Sequence, residues 1–173
     1  MSDSNAPPAP ADAPDADELR RRLVRNVHDA ALRPFSRPPL YESRYAGLSD
    51  GTAARRLGAG YDELAPGHQT CPYHFHHAQE EMFIVLEGEG TLRVAGQRLA
   101  LRAGDVVFIP PGPEYPHHIL NTSSAALKYL SISTQERPEV CEYPDSDKIA
   151  VLGRGKAGTH RRADGIDYWE DEP

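Results

Sequence analysis

The 173-residue chain has only two cysteines, Cys71 and Cys141, with no CxxC spacing. A disulfide framework is therefore excluded, and both read as small buried or half-buried thiols. Long hydrophobic runs are also missing. The longest is Met82 to Leu86, far below the ~20 residues of a membrane helix, and no basic start leads into an apolar stretch at the N-terminus. A cytoplasmic protein without membrane contact is expected. Positive charge is scarce too: 19 Lys and Arg stand against 26 Asp and Glu, a net −7. The surplus of acid sits in residues 1–18 and 163–173, so the body between them is near neutral. A body without a basic stripe argues against a nucleic-acid partner, whose affinity comes mainly from phosphate neutralisation.

Punctuation is abundant, with 16 Pro and 14 Gly. Residues 1–18, rich in Pro, Ala and acid, read as a disordered arm. An extension over 19–54 follows, opening on a short helix capped by Asp15 or Asp17 and ended by Pro34, Pro38 and Pro39. Over 55–134 the chain turns to short strands separated by Gly and Pro turns every 8 to 12 residues, which predicts one all-β sandwich or barrel domain. Residues 135–173 are expected to cross its surface mainly as loops and pack on it. Trp169 is expected to find an apolar surface on the barrel exterior or on a neighbouring subunit.

Six of the eight histidines fall between residues 68 and 118. His74 and His76 flank Phe75 on a predicted strand, so a period of two puts both imidazoles on one face and sends His77 to the other. Glu81 opens the next apolar strand, on the face of Phe83 and Val85. His117 begins a further half-buried strand. Three imidazoles and a carboxylate on neighbouring strands form an N/O ligand set for one divalent first-row ion.

These residues resemble the cupin superfamily. The stretch from Gly67 through His74-Phe75-His76 to Glu81 and Gly88 is similar to its first motif. Gly104, Pro110-Pro111-Gly112, His117 and Asn121 are similar to its second. The resemblance implies a jelly-roll β-barrel and one divalent metal ion, Zn, Mn, Fe or Ni, held by His74, His76, Glu81 and His117. The spacing from Gly112 is two residues longer than the family pattern, which leaves His118 as the alternative to His117; the three residues between His117 and Asn121 favour His117. Related small single-domain cupins are often labelled, by inference, sugar-phosphate isomerases. The expected partner is a small-molecule ligand or substrate, and a homodimer is implied. Three functions remain open: an isomerase acting on a small carbonyl or hydroxyl compound, an iron-dependent dioxygenase, and a noncatalytic ligand-binding or sensor module. Glu114, Tyr115 and Cys71 stand as candidates for acid or base near the mouth.

Overall fold

The computed structural model describes residues 14–153 and 157–172; the expectation for residues 1–13 of the arm lies outside them. Helix α1 (Ala16–Leu23) starts where the Asp15 carboxylate accepts a 2.8 Å hydrogen bond from the Glu18 amide. Asp17 and Glu18 in its first turn and Arg20 to Arg22 in its last complement the helix dipole.

Thirteen strands follow among the described residues: β1 (Arg33–Arg37), β2 (Tyr41–Gly47), β3 (Leu57–Leu64), β4 (Phe75–His76), β5 (Glu81–Glu87), β6 (Glu89–Val94), β7 (Gln97–Arg102), β8 (Val106–Ile109), β9 (His117–Leu120), β10 (Leu127–Thr134), β11 (Glu139–Tyr143), β12 (Lys148–Leu152) and β13 (Ala157–Arg161). All pairings are antiparallel. One sheet runs β1-β2-β3-β10-β5-β8. The second is built from β13-β12-β11-β4 and β7-β6-β9. These two pieces meet where His74 and His117 exchange both backbone hydrogen bonds, at 3.1 and 2.7 Å. The facing sheets form a cupin-type jelly roll.

Strand alternation places the core. Leu64, Phe83, Val85, Ile109, Leu127 and Tyr129 point inward from the first sheet, and Leu92, Leu101 and Ile119 meet them from the second. Each such side chain contributes about 1.5–3 kcal/mol on full burial. Asn121 is buried for a turn: its amide donates to the carbonyls of Leu64 and Ala125, and its oxygen accepts from Ser123. Gly88 adopts φ +84°, and a Cβ there would strike the Ala126 carbonyl, so only glycine fits the bend.

Two expectations change. Strands β11, β12 and β13 stand where surface loops were expected, and β11 lies against β4 at the heart of the second sheet. The alternation is masked there because Glu139, a charged residue, takes an inward position and Pro144 interrupts the run. Strand β3 passes through Gly60 without a turn. Tyr168 and Trp169 pack edge to face on each other at 4.8 Å and remain 81% and 70% exposed. Trp169 therefore does not pack on the barrel exterior.

Candidate metal centre

β4 and its preceding residue bring His74 and His76 to the inner side of the second sheet, β9 brings His117, and β5 brings Glu81 from the opposite sheet. The Glu81 Oε2 atom lies 2.9 Å from His117 Nε2, 3.5 Å from His76 Nε2 and 3.8 Å from His74 Nε2. Metal–ligand bonds of about 2.1 Å separate adjacent ligands of an octahedral ion by ~3.0 Å and opposite ones by ~4.2 Å. The observed separations span that range. Glu81 Oε2 and His117 Nε2 are buried without an aligned hydrogen-bond partner, a costly state unless something satisfies them.

Two of the other ring nitrogens have backbone partners: His74 Nδ1 sits 2.9 Å from the Pro72 carbonyl and His117 Nδ1 sits 3.1 Å from the Tyr115 carbonyl. His76 Nδ1 faces the Glu139 carboxylate at 3.3 Å without an aligned hydrogen bond. A proton held at Nδ1 by such an acceptor leaves Nε2 as an open lone pair, the tautomer a metal ligand requires. The donor set thus fits a divalent first-row ion.

Charge balance within the cluster agrees. Burial pushes the His74 imidazole down to about 4, and His117 beside it adds to the effect, so His74 stays neutral at ordinary pH. Burial alone would raise Glu81, but the His117 contact and the neighbouring imidazoles outweigh it and hold the carboxyl below its ordinary value.

Two residues escaped the sequence reading. Glu139 has no exposed side-chain surface, and its oxygens accept from the amides of His77, Ala78 and Gln79 at 2.9–3.0 Å. It therefore fixes the turn after β4 and stands behind His76 at once. Its sequence surroundings, Val140, Cys141 and Glu142, carry no pattern that marks it as buried. Cys141 places its sulfur within 4.8 Å of ligand nitrogens of His74 and His76. A lone cysteine without spacing offers no signal.

The remaining candidates separate cleanly. His77 points away, 45% exposed, with Nε2 2.8 Å from Glu142. His118 is buried on the other face of β9, edge-on to the Tyr73 ring at 5.4 Å, so His117 is the histidine that meets Glu81. Tyr73 is itself buried under the Arg93 guanidinium, 3.7 Å above its ring, and lines no mouth. Glu114 and Tyr115 are exposed. Cys71 Sγ lies 3.8 Å from His74 Nδ1, and burial pushes its thiol up to about 12. It is therefore a neutral thiol at ordinary pH and not a ready base.

Two facing antiparallel sheets with imidazoles and one carboxylate converging between them define a jelly roll of the metal-site kind. Residues 60–133 match the cupin domain family. An uncharacterized protein of Methanocaldococcus jannaschii is 35% identical over 122 residues, which cover 66% of this chain and 89% of that protein. The chain belongs to the cupin superfamily. The dimethylsulfoniopropionate lyase of Ruegeria pomeroyi is 35% identical over 80 residues, 45% of this chain and 51% of the lyase, so only about half of that enzyme is spanned. Among solved structures, a proposed sugar phosphate isomerase from Acidithiobacillus ferrooxidans superposes with a TM-score of 0.68 at 28% identity, covering 73% of this chain and 80% of its own.

Proposed function

We propose that the protein binds one divalent first-row ion through His74, His76, Glu81 and His117 and acts on a small hydroxy-carbonyl compound by shifting a proton, as an isomerase does. The carrying observation is the convergence of three imidazole Nε2 atoms on a buried carboxylate oxygen, with Nδ1 of His74 and of His117 on backbone carbonyls and Nδ1 of His76 facing Glu139. When bound, the ion polarises a carbonyl and acidifies the adjacent C–H bond. His74, His76, Glu81 and His117 would hold the ion, and the hydroxyl and carbonyl oxygens of such a compound would complete its ligand shell.

The chain's residues hold and enclose the site. Glu139 and the two backbone carbonyls orient the imidazoles. The Phe83 ring, 5.7 Å from His117, closes the floor against water from the core side. The likenesses to a lyase and to a proposed isomerase support an enzyme over a storage module. The dimer implied by the family resemblance has a physical motive in the open β8 edge, where Val106 and Phe108 are exposed.

The test loads the protein separately with zinc, manganese and iron(II) and offers small hydroxy-aldehydes and hydroxy-ketones in D₂O, with and without oxygen. Deuterium entering the substrate carbon without oxygen is the expected result. Iron-dependent oxygen uptake would overturn the proposal in favour of a dioxygenase. Ligand binding with neither outcome would leave a binding module.

A further inference from the structure

The class of that compound is narrowed by a cleft beside the histidine cluster. Glu81 forms part of the wall of a space of about 230 Å³ on the inner face of β3 and β10, whose floor carries Gly58, Gly60, Ser131 and Ser133 and whose rim carries Tyr45, Asp50 and Gln135. At roughly 30 Å³ per water, this is room for about seven water volumes, the bulk of a three- to five-carbon molecule.

Glycine lets the wall's own side chains close over the strand. A Cβ on Gly60 would come within 2.6 Å of the Tyr45 ring and 2.8 Å of Ser131 Oγ, and one on Gly58 within 2.5 Å of the Gln135 amide. The chemistry of the wall is one-sided. Two carboxylates line it, Asp50 and Glu81, and no Lys, Arg or His does. Ser131 donates its hydroxyl proton to Asp62 at 2.9 Å, which leaves its oxygen to accept. Ser133 Oγ already accepts from Gln135 at 2.8 Å, so its own proton is free. Arg25 lies behind the rim, where its guanidinium donates to the carbonyls of Arg21, Val24 and Asp50 at 2.6, 3.0 and 3.2 Å, and it does not line the space.

We propose that this cleft takes the uncharged, hydroxylated end of the substrate, so that the ligand is a neutral polyhydroxy carbonyl compound and not its phosphate ester. Hydroxyl groups both donate and accept, and so can serve carboxylates and serine hydroxyls together. A phosphate dianion only accepts; among the residues lining the cleft it would meet the Asp50 carboxylate and no Lys, Arg or His, while Glu81 and its ion serve the ligand's other end. The likeness to a proposed sugar phosphate isomerase would by itself point the other way, which makes the distinction informative. The inference rests on the proposed metal site for the ligand's other end.

The experiment titrates protein loaded with cobalt(II) with dihydroxyacetone and dihydroxyacetone phosphate, and with D-erythrose and D-erythrose 4-phosphate. Binding is read by calorimetry and by the visible cobalt spectrum. Each neutral compound is expected to bind at least tenfold more tightly than its ester. Equal or tighter binding of the esters, or no binding of either neutral compound, overturns the proposal. Asp50→Lys places a cation at the exposed rim and should shrink the preference at least fivefold, with metal content unchanged by elemental analysis. Ser133→Leu should fill the cleft and weaken the neutral compounds tenfold without altering the cobalt spectrum of the unliganded protein. An unchanged preference in Asp50→Lys overturns the proposal even if Ser133→Leu fails to fold. Should wild-type protein take up no cobalt, the metal reading fails, and the same calorimetric titrations on metal-free protein decide the cleft alone.

Discussion

His76 and His77 are neighbours in sequence with opposite fates, because strand alternation turns one toward Glu81 and the other toward Glu142. His76→Ala should therefore abolish stoichiometric metal uptake while His77→Ala leaves it nearly intact, as elemental analysis of the purified variants would show. Glu139 acts one step further back. Replacing it by Gln keeps an acceptor for the backbone amides but removes the negative charge behind His76, and a loss of 10–100-fold in metal affinity is expected. Competition with a chelator measures it, and an unchanged affinity would reduce Glu139 to a structural brace. Asp62 carries a different burden. It is 7% exposed, and burial, partly offset by the Ser131 hydrogen bond, pushes its carboxyl from 3.8 up to about 6. The folded protein thus holds this proton more tightly than the unfolded chain. Stability should accordingly fall as pH rises from about 4 to about 6, and the cost is fully present above that window. Asp62→Asn keeps the partner of Ser131 and should gain up to about 3 kcal/mol at neutral pH. In urea titrations the advantage over wild type should be small near pH 4 and grow toward pH 7.

The strand elements differ in how openly they announce themselves. β5, β8, β9 and β10 are apolar runs between Gly and Pro turns, and a period of two puts His74 and His76 on one face, so the barrel was legible from local pattern, while the choice of His117 over His118 leaned on the cupin resemblance. β11 to β13 were not legible in that way. Their inward positions hold Glu139 beside Cys141 and Ala150, a mixture that no apolar periodicity reveals, because the charge is neutralised only by amides 60 to 62 residues away in sequence. β1 and β2 were hidden by the prolines at 34, 38 and 39, which sit at the sheet's outer edge and in the turn after it, where a missing amide donor is tolerated. The late strands are nevertheless structural partners of the site. A chain ending after Thr134 keeps the whole family match and all four candidate ligands, yet β4 loses its pairing with Cys141 and Glu142 and His76 loses Glu139. Such a truncation is expected to retain strand content by circular dichroism only weakly and to take up no metal.

At the scale of the whole molecule, the outer face of the first sheet is its least satisfied surface. Met82 and Ile84 are cross-strand neighbours of Phe108 and Val106, and Phe108 is 67% exposed on an unpaired edge strand. Phe108→Lys should convert a dimer into a monomer in sedimentation experiments while leaving the melting curve near that of wild type; a wild-type monomer would show that the edge stays open. The pair of hydrogen bonds between His74 and His117 carries a consequence in time rather than in space. The same two residues that join the halves of the second sheet also present ligand nitrogens, and 43 positions of chain must close before they meet. Contacts of such sequence separation bear the full entropy of loop closure and form late. During refolding from urea, competence to take up cobalt, read from the change in its visible spectrum, should therefore appear only with the slowest phase of strand formation, making uptake of the ion a clock for the final closure of the barrel.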